Sequence, residues 1–155
     1  MPVKRLKEYL DAKSVKYQVI PHKCTYTAQE TAVSASVPGD EMAKTVMVKV
    51  DGKMAVSVLP ASYKVDFNLL KLNTGAKNVE LASEEEFEMM FPQCEVGAMP
   101  PFGNLYGMDV YVAKKLAEDE EIAFNAGSHT ELVKLSYKDF ERLVSPKIVR
   151  FSLTE

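Results

Sequence analysis

The stretch Lys44-Thr45-Val46-Met47-Val48-Lys49-Val50-Asp51-Gly52-Lys53-Met54-Ala55-Val56-Ser57-Val58-Leu59-Pro60 decides the fold. Val46, Val48 and Val50 alternate with Thr45, Met47 and Lys49, the period-two pattern of a β-strand. Asp51-Gly52 follows, and Asp-Gly is a strong signal for a two-residue hairpin turn. The chain then returns through Met54, Val56 and Val58 and stops at Pro60. The segment predicts two antiparallel strands.

Toward the N-terminus, Val3, Leu6 and Leu10 stand at helical spacing, which predicts a helix over 2–14. Residues 17–21 read as a short strand. Thr27 to Glu30 has the Thr-x-x-Glu form of a capping box, opening a helix over 28–36 that stops near Pro38-Gly39. Toward the C-terminus, residues 66–73 predict a short helix and 79–82 a strand. Ser83 to Glu86 is a second capping box, with a helix running to about Met90. Residues 97–107 form a loop rich in glycine and proline. Three strands are predicted over 108–113, 121–126 and 131–135. Ser136 with Asp139 caps a further helix that Pro146 ends, and 148–153 predicts a last strand. Strands and helices interleave without a strict βαβ rhythm. The expected fold class is α+β (mixed α/β), a central, mixed, largely antiparallel sheet flanked by helices.

The 155 residues suit one domain, 1–155, since domains cluster at ~100–150 residues. No apolar run reaches the roughly 18 residues of a membrane-spanning helix. Met1-Pro2-Val3-Lys4-Arg5-Leu6 lacks the apolar region of a secretory signal, so a cytoplasmic protein is expected. The net charge of −3 argues against a dedicated duplex-DNA binder, whose affinity rests on neutralising phosphates. Cys24 and Cys94 stand far apart with no Cys/His cluster, which speaks against a zinc site. No Walker A, GxGxxG or GxSxG pattern occurs.

Lys44 is the most informative single residue. By strand parity it shares the face of Val46, Val48 and Val50. Either it points inward to line a pocket, or the strand starts after it and the side chain is solvated. Gly97-Ala98-Met99-Pro100-Pro101-Phe102-Gly103 is the second feature. Paired prolines stiffen it and glycines permit close approach, which suits a ligand-facing loop or a rigid connector. Gly127-Ser128-His129 between two strands is either a surface turn or a pocket edge. Tyr26 is core or pocket wall. Basic residues gather early (Lys4, Arg5, Lys7, Lys13, Lys16) and late (Lys134, Lys138, Arg142, Lys147, Arg150); they form an anionic-ligand patch if the two ends meet, and ordinary surface charge otherwise.

Taken together, the sequence resembles the YbaK/prolyl-tRNA synthetase editing-domain family. The resemblance is carried by Thr25-Tyr26-Thr27-Ala28-Gln29-Glu30, Pro38-Gly39, Ala43-Lys44-Thr45-Val46, Val58-Leu59-Pro60-Ala61, Leu81-Ala82-Ser83-Glu84-Glu85, 97–103 and Gly127-Ser128-His129, in that order. It implies a free-standing aminoacyl-tRNA deacylase that hydrolyses the ester of a mischarged small amino acid on tRNA, with tRNA-Pro as the expected carrier. It implies Lys44 as the catalytic lysine and Gly97 and Pro101 as the GxxxP loop beside the aminoacyl pocket. Gly127, Ser128 and His129 would close the other side, with Thr45 and Tyr26 near the ligand. Met47, Met99 and Phe102 join Tyr26 as candidates for the pocket wall. The implied partners are the tRNA acceptor end and an aminoacyl-tRNA synthetase, with no metal, cofactor, membrane or duplex DNA. The alternatives are a non-catalytic nucleotide- or charged-tRNA-binding module of the same fold, and a hydrolase of another small ester or thioester.

Overall fold

The computed structural model describes residues 4–21, 42–87, 99–125 and 131–154. Its centre is the expected hairpin. Strand β2 (Ala43–Val50) pairs antiparallel with β3 (Lys53–Pro60), in register from Ala43↔Pro60 to Val50↔Lys53. Asp51 and Gly52 both take positive φ, 51° and 82°, as a type I′ turn requires. The Asp51 carboxylate accepts from the backbone N–H groups of Lys77 and Asn78 at 2.8 and 2.9 Å. That holds the turn against the chain entering β5 (Val79–Leu81), which pairs antiparallel with β2. On the other side, β6 (Asp109–Ala113) runs parallel to β3, and β9 (Lys147–Val149) parallel to β6. The sheet order is β5-β2-β3-β6-β9.

Both faces of this sheet are covered. Ala43, Met47, Val56, Val58, Val110 and Val112 face the main core. Val46, Val48, Leu59 and Tyr111 face a second cluster with Leu70 and Phe151. Leu70 comes from α2 (Phe67–Thr74), whose cap Asp66 accepts from the Leu69 N–H at 3.0 Å. The buried Ser57 sits on the second face and donates to the Val46 carbonyl at 2.6 Å, so its hydroxyl is satisfied.

A three-stranded antiparallel sheet, β1 (Tyr17–Pro21), β8 (Glu131–Ser136) and β7 (Glu121–Asn125) in the order β1-β8-β7, stands beside the first. A parallel bridge between Met42 and Ala123 joins the two. The expected mixed, largely antiparallel architecture is therefore present, with its hydrogen bonding divided between two sheets that meet at this bridge. β4 (Tyr63–Val65) and β10 (Ser152–Thr154) form a separate antiparallel pair. The strand expected over 148–153 is two strands, β9 and β10, in different sheets. The chain breaks at Arg150-Phe151, where Phe151 is fully buried and its carbonyl accepts from the Asp66 N–H at 2.7 Å.

Helix α1 (Lys4–Ala12) buries Leu6 and Leu10 completely. Ser83 and Glu86 form the expected capping box at the start of α3 (Glu84–Phe87), with reciprocal bonds of 3.3 and 3.0 Å. Helix α4 (Tyr137–Val144) begins where Ser136 Oγ accepts from the Asp139 N–H at 3.1 Å. Burial, with Glu141 nearby, pushes the Tyr137 phenol well above its usual range. Tyr9 Oη donates to the Leu143 carbonyl at 3.3 Å, tying α1 to α4. Among the described residues, no helix is long and apolar enough to cross a membrane. The predicted 28–36 helix lies outside the described residues, as do positions 88–90 and 126 of the predicted elements.

Candidate active site

Lys44 is the second residue of β2, paired with the fully buried Leu59. The strand therefore starts before it, at Ala43, and Lys44 lies inside the ladder with its side chain half-buried. The strand thus does not begin after Lys44, and by parity Lys44 shares the face of Val46 and Val48. Thr45, paired with Val58, is also half-buried and leaves the strand on the opposite face.

The surroundings of Lys44 follow from register. Met42 and Ala123 are bridging partners in parallel strands, so two residues further along each strand come Lys44 and Asn125. Parity gives all four side chains the same face. Asn125 pairs with Leu132, and Leu132 with Ile20. Met42, Ala61, Ala123 and Leu132 are buried together, with Ile20 against them. The Ala61 N–H donates to the Met42 carbonyl at 2.7 Å, which carries the β2–β3 ladder one step beyond Pro60. Lys44 and Asn125 thus form a polar row beside a compact apolar floor. Sequence reading missed Asn125, because by strand parity it falls with the exposed Glu121 and the small Ala123 rather than with Ile122 and Phe124, so no local pattern marked it.

Pro101 is buried, as are Pro100, Met99 and Phe102. The Phe102 ring meets Phe140, Phe124 and Tyr9 at centroid distances of 5.4, 5.5 and 6.2 Å. It is therefore the hub of the main core rather than a pocket wall, and Met47 and Met99 are buried in the same core. Gly103 allows a close approach, but to protein. A Cβ there would lie 2.9 Å from methyl groups of both Val56 and Val110. This half of the loop is anchored by packing, which makes Pro101 a fixed point. Tyr26, Gly97, Gly127, Ser128 and His129 lie outside the described residues.

Lys49, further along β2, lies 2.6 Å from Glu86 and 3.5 Å from Glu80. Its ammonium group, together with bonds from Ser83, holds the Glu86 carboxyl down to about 2. The two chain ends meet through α1 and α4, yet Lys134 pairs with Glu121 at 3.7 Å and Arg142 with Asp139 at 3.1 Å. Lys147 lies 3.7 Å from Asp109. Lys134, Arg142 and Lys147 are therefore partnered surface charges. A cavity of about 440 Å³ lies at the turn end of the hairpin, lined by Asp51, Lys53, Thr74 and Tyr111. It is seven residues of strand from Lys44, roughly 23 Å at ~3.3 Å per residue.

This is a mixed α/β domain with a half-buried, strand-borne lysine on the face of a small buried apolar cluster. The model of the aminoacyl-tRNA editing domain matches residues 22–143, and the chain belongs to that family. Over 97% of its length it is 27% identical to the multifunctional Ser/Thr-tRNA deacylase ProXp-y of Escherichia coli (strain K12), covering 92% of that protein. A 75-residue stretch, 48% of the chain, is 33% identical to proline–tRNA ligase 1 of Bacillus thuringiensis subsp. konkukian (strain 97-27), of which it spans 13%. Among solved structures, a protein described only as hypothetical superposes with a TM-score of 0.86 at 21% identity, covering 97% of this chain and 100% of that one. A candidate trans-editing enzyme for prolyl tRNA synthetase gives 0.82 at 17% identity, covering 97% and 96%. At these identities the structural likeness bears on the fold alone.

Proposed function

We propose that the chain is a free-standing aminoacyl-tRNA deacylase, one editing domain that removes a mischarged small amino acid from tRNA in the cytoplasm. Its substrate is the tRNA acceptor end, tRNA-Pro in the first instance, with an aminoacyl-tRNA synthetase as partner. The observation that carries this reading is Lys44. It stands inside a ladder next to an apolar floor, within the span that matches the editing-domain family.

An aminoacyl ester is already activated, so positioning and charge stabilisation suffice for its hydrolysis. Water adds to the ester carbonyl. The bond to the ribose oxygen then breaks, and that oxygen leaves with a proton as the tRNA hydroxyl. Lys44 supplies positive charge, either to the developing oxyanion or to the terminal adenosine phosphate. The Gly97–Pro101 loop, fixed at its Pro101 end, orients the carbonyl. Tyr26, Thr45, Gly127, Ser128 and His129 complete the substrate pocket in this reading. The proton acceptor is a hydroxyl of the substrate's own ribose.

The test is deacylation of a panel of mischarged tRNAs by the wild type and Lys44→Ala. Release of a small amino acid by the wild type, reduced at least ~100-fold in Lys44→Ala, supports the reading, as expected for loss of a charge-stabilising group. A well-folded wild type that releases nothing points instead to a binding module of the same fold.

A further inference from the structure

Asn125 closes strand β7 immediately before Ala126-Gly127-Ser128-His129. Its Oδ1 atom is buried and has no hydrogen-bond partner among the described residues. A buried acceptor without a donor is costly and rare in folded proteins, and calls for a specific explanation. The neighbours narrow the choice. Asn125 lies two residues beyond the Met42–Ala123 bridge, level with Lys44, on the face of the Met42, Ala61 and Leu132 floor. The apolar residues around it supply no donor. A donor brought by the ligand would satisfy it.

We propose that Asn125 is a specificity-determining residue whose Oδ1 accepts a hydrogen bond from the free α-ammonium group of the bound aminoacyl moiety. The proposal rests on the aminoacyl reading of the site given above. The ligand chemistry fits. An aminoacyl ester carries its ammonium group one carbon from the ester carbonyl, and it is the strongest donor near the scissile bond. With Lys44 beside the ester or phosphate and Asn125 beside the ammonium group, the two strand-end residues address opposite charges of one small ligand. The consequence is a selectivity that the fold alone does not require: the site would accept free aminoacyl groups and refuse N-acylated ones, peptidyl groups included.

The test is binding rather than turnover, so it reads out independently of catalysis. Calorimetric titrations of the full chain use 3′-seryl- and 3′-alanylamino-3′-deoxyadenosine, non-hydrolysable amides of small amino acids, each with a free and an N-acetylated amine. The wild type is expected to favour the free amine by about ten- to a hundred-fold, as for a hydrogen bond to a charged group. Asn125→Leu should lose that preference while still binding the acetylated form. Asn125→Asp, whose carboxylate offers only acceptors, should keep it. Equal preference in the wild type and Asn125→Leu overturns the proposal. So does a wild type that does not distinguish the two amines or binds neither. Hydrolysis of mischarged tRNA tests the deacylase reading separately: turnover with no amine preference sinks this inference alone, and amine-selective binding without turnover sinks only the deacylase.

Discussion

Lys49 Nζ lies 2.6 Å from Glu86 Oε2 and ties strand β2 to the first turn of α3, ahead of the Gly97–Pro101 loop. The contact lowers the Glu86 carboxyl from 4.5 to about 2, mainly through the Lys49 bond and the Ser83 cap. Glu86 and Glu80 in turn raise the Lys49 ammonium above 10.5. A carboxylate with a depressed folded-state pKa stabilises the fold above its unfolded value and loses that contribution as pH falls through the folded one. Glu86→Gln should therefore melt below the wild type at neutral pH. The gap should stay level upward from about pH 4.5 and close as pH falls toward 2. Thermal melts across that range check it. Because the pair is solvent-accessible, high salt should shrink the gap.

Phe102 joins α1, β7 and α4 through its contacts with Tyr9, Phe124 and Phe140. Phe102→Ala should cost ~3–5 kcal/mol in urea unfolding, the range for removing a buried aromatic ring. A ligand-pocket position would instead change binding with little loss of stability.

Gly52 and Gly103 are needed for different reasons. Gly52 has φ 82°, and a Cβ added there would meet nothing within 4 Å, so Gly52→Ala brings backbone strain without a clash. Gly103→Ala meets Val56 and Val110 at 2.9 Å. We expect about 1 kcal/mol for the first and ~1–3 kcal/mol for the second. A Val56→Ala background should relieve only the Gly103 substitution, because double-mutant coupling appears between residues in contact.

Charged tRNA should bind weakly and with strong salt dependence. The chain carries a net charge of −3, and Lys134, Arg142 and Lys147 each have an acidic neighbour. Contact confined to the acceptor end predicts a log–log salt slope of roughly −1.5 to −3, as for a few neutralised phosphates of a single strand. Fluorescence titration of aminoacyl-tRNA at several salt concentrations measures it. Tight binding insensitive to salt would contradict a site restricted to the acceptor end.

The elements readable in the sequence were those built from local rules. Asp51-Gly52 named its own turn because few residue pairs tolerate two successive positive φ values. The Ser83–Glu86 and Ser136–Asp139 caps were legible because a cap spans only a few residues. Lys44 was singled out by strand parity, another local property. Phe102 was misplaced because a buried aromatic ring and a pocket-lining one look alike in a loop. The split of 148–153 into β9 and β10 was hidden because its cause, the burial of Phe151 beneath α2, lies outside the segment.

The sequence by itself determined the hairpin, the caps, the class of fold and the parity that sets Lys44 apart, since each depends on residues only a few positions apart. Tertiary structure alone decided that β3 and β6 run parallel, that Phe102 belongs to the core, and that Asn125 stands level with Lys44 across the Met42–Ala123 bridge. The physical reason is range. Backbone preferences act between chain neighbours, whereas a partner eighty residues away is selected by the burial of shared apolar surface, which no local pattern specifies.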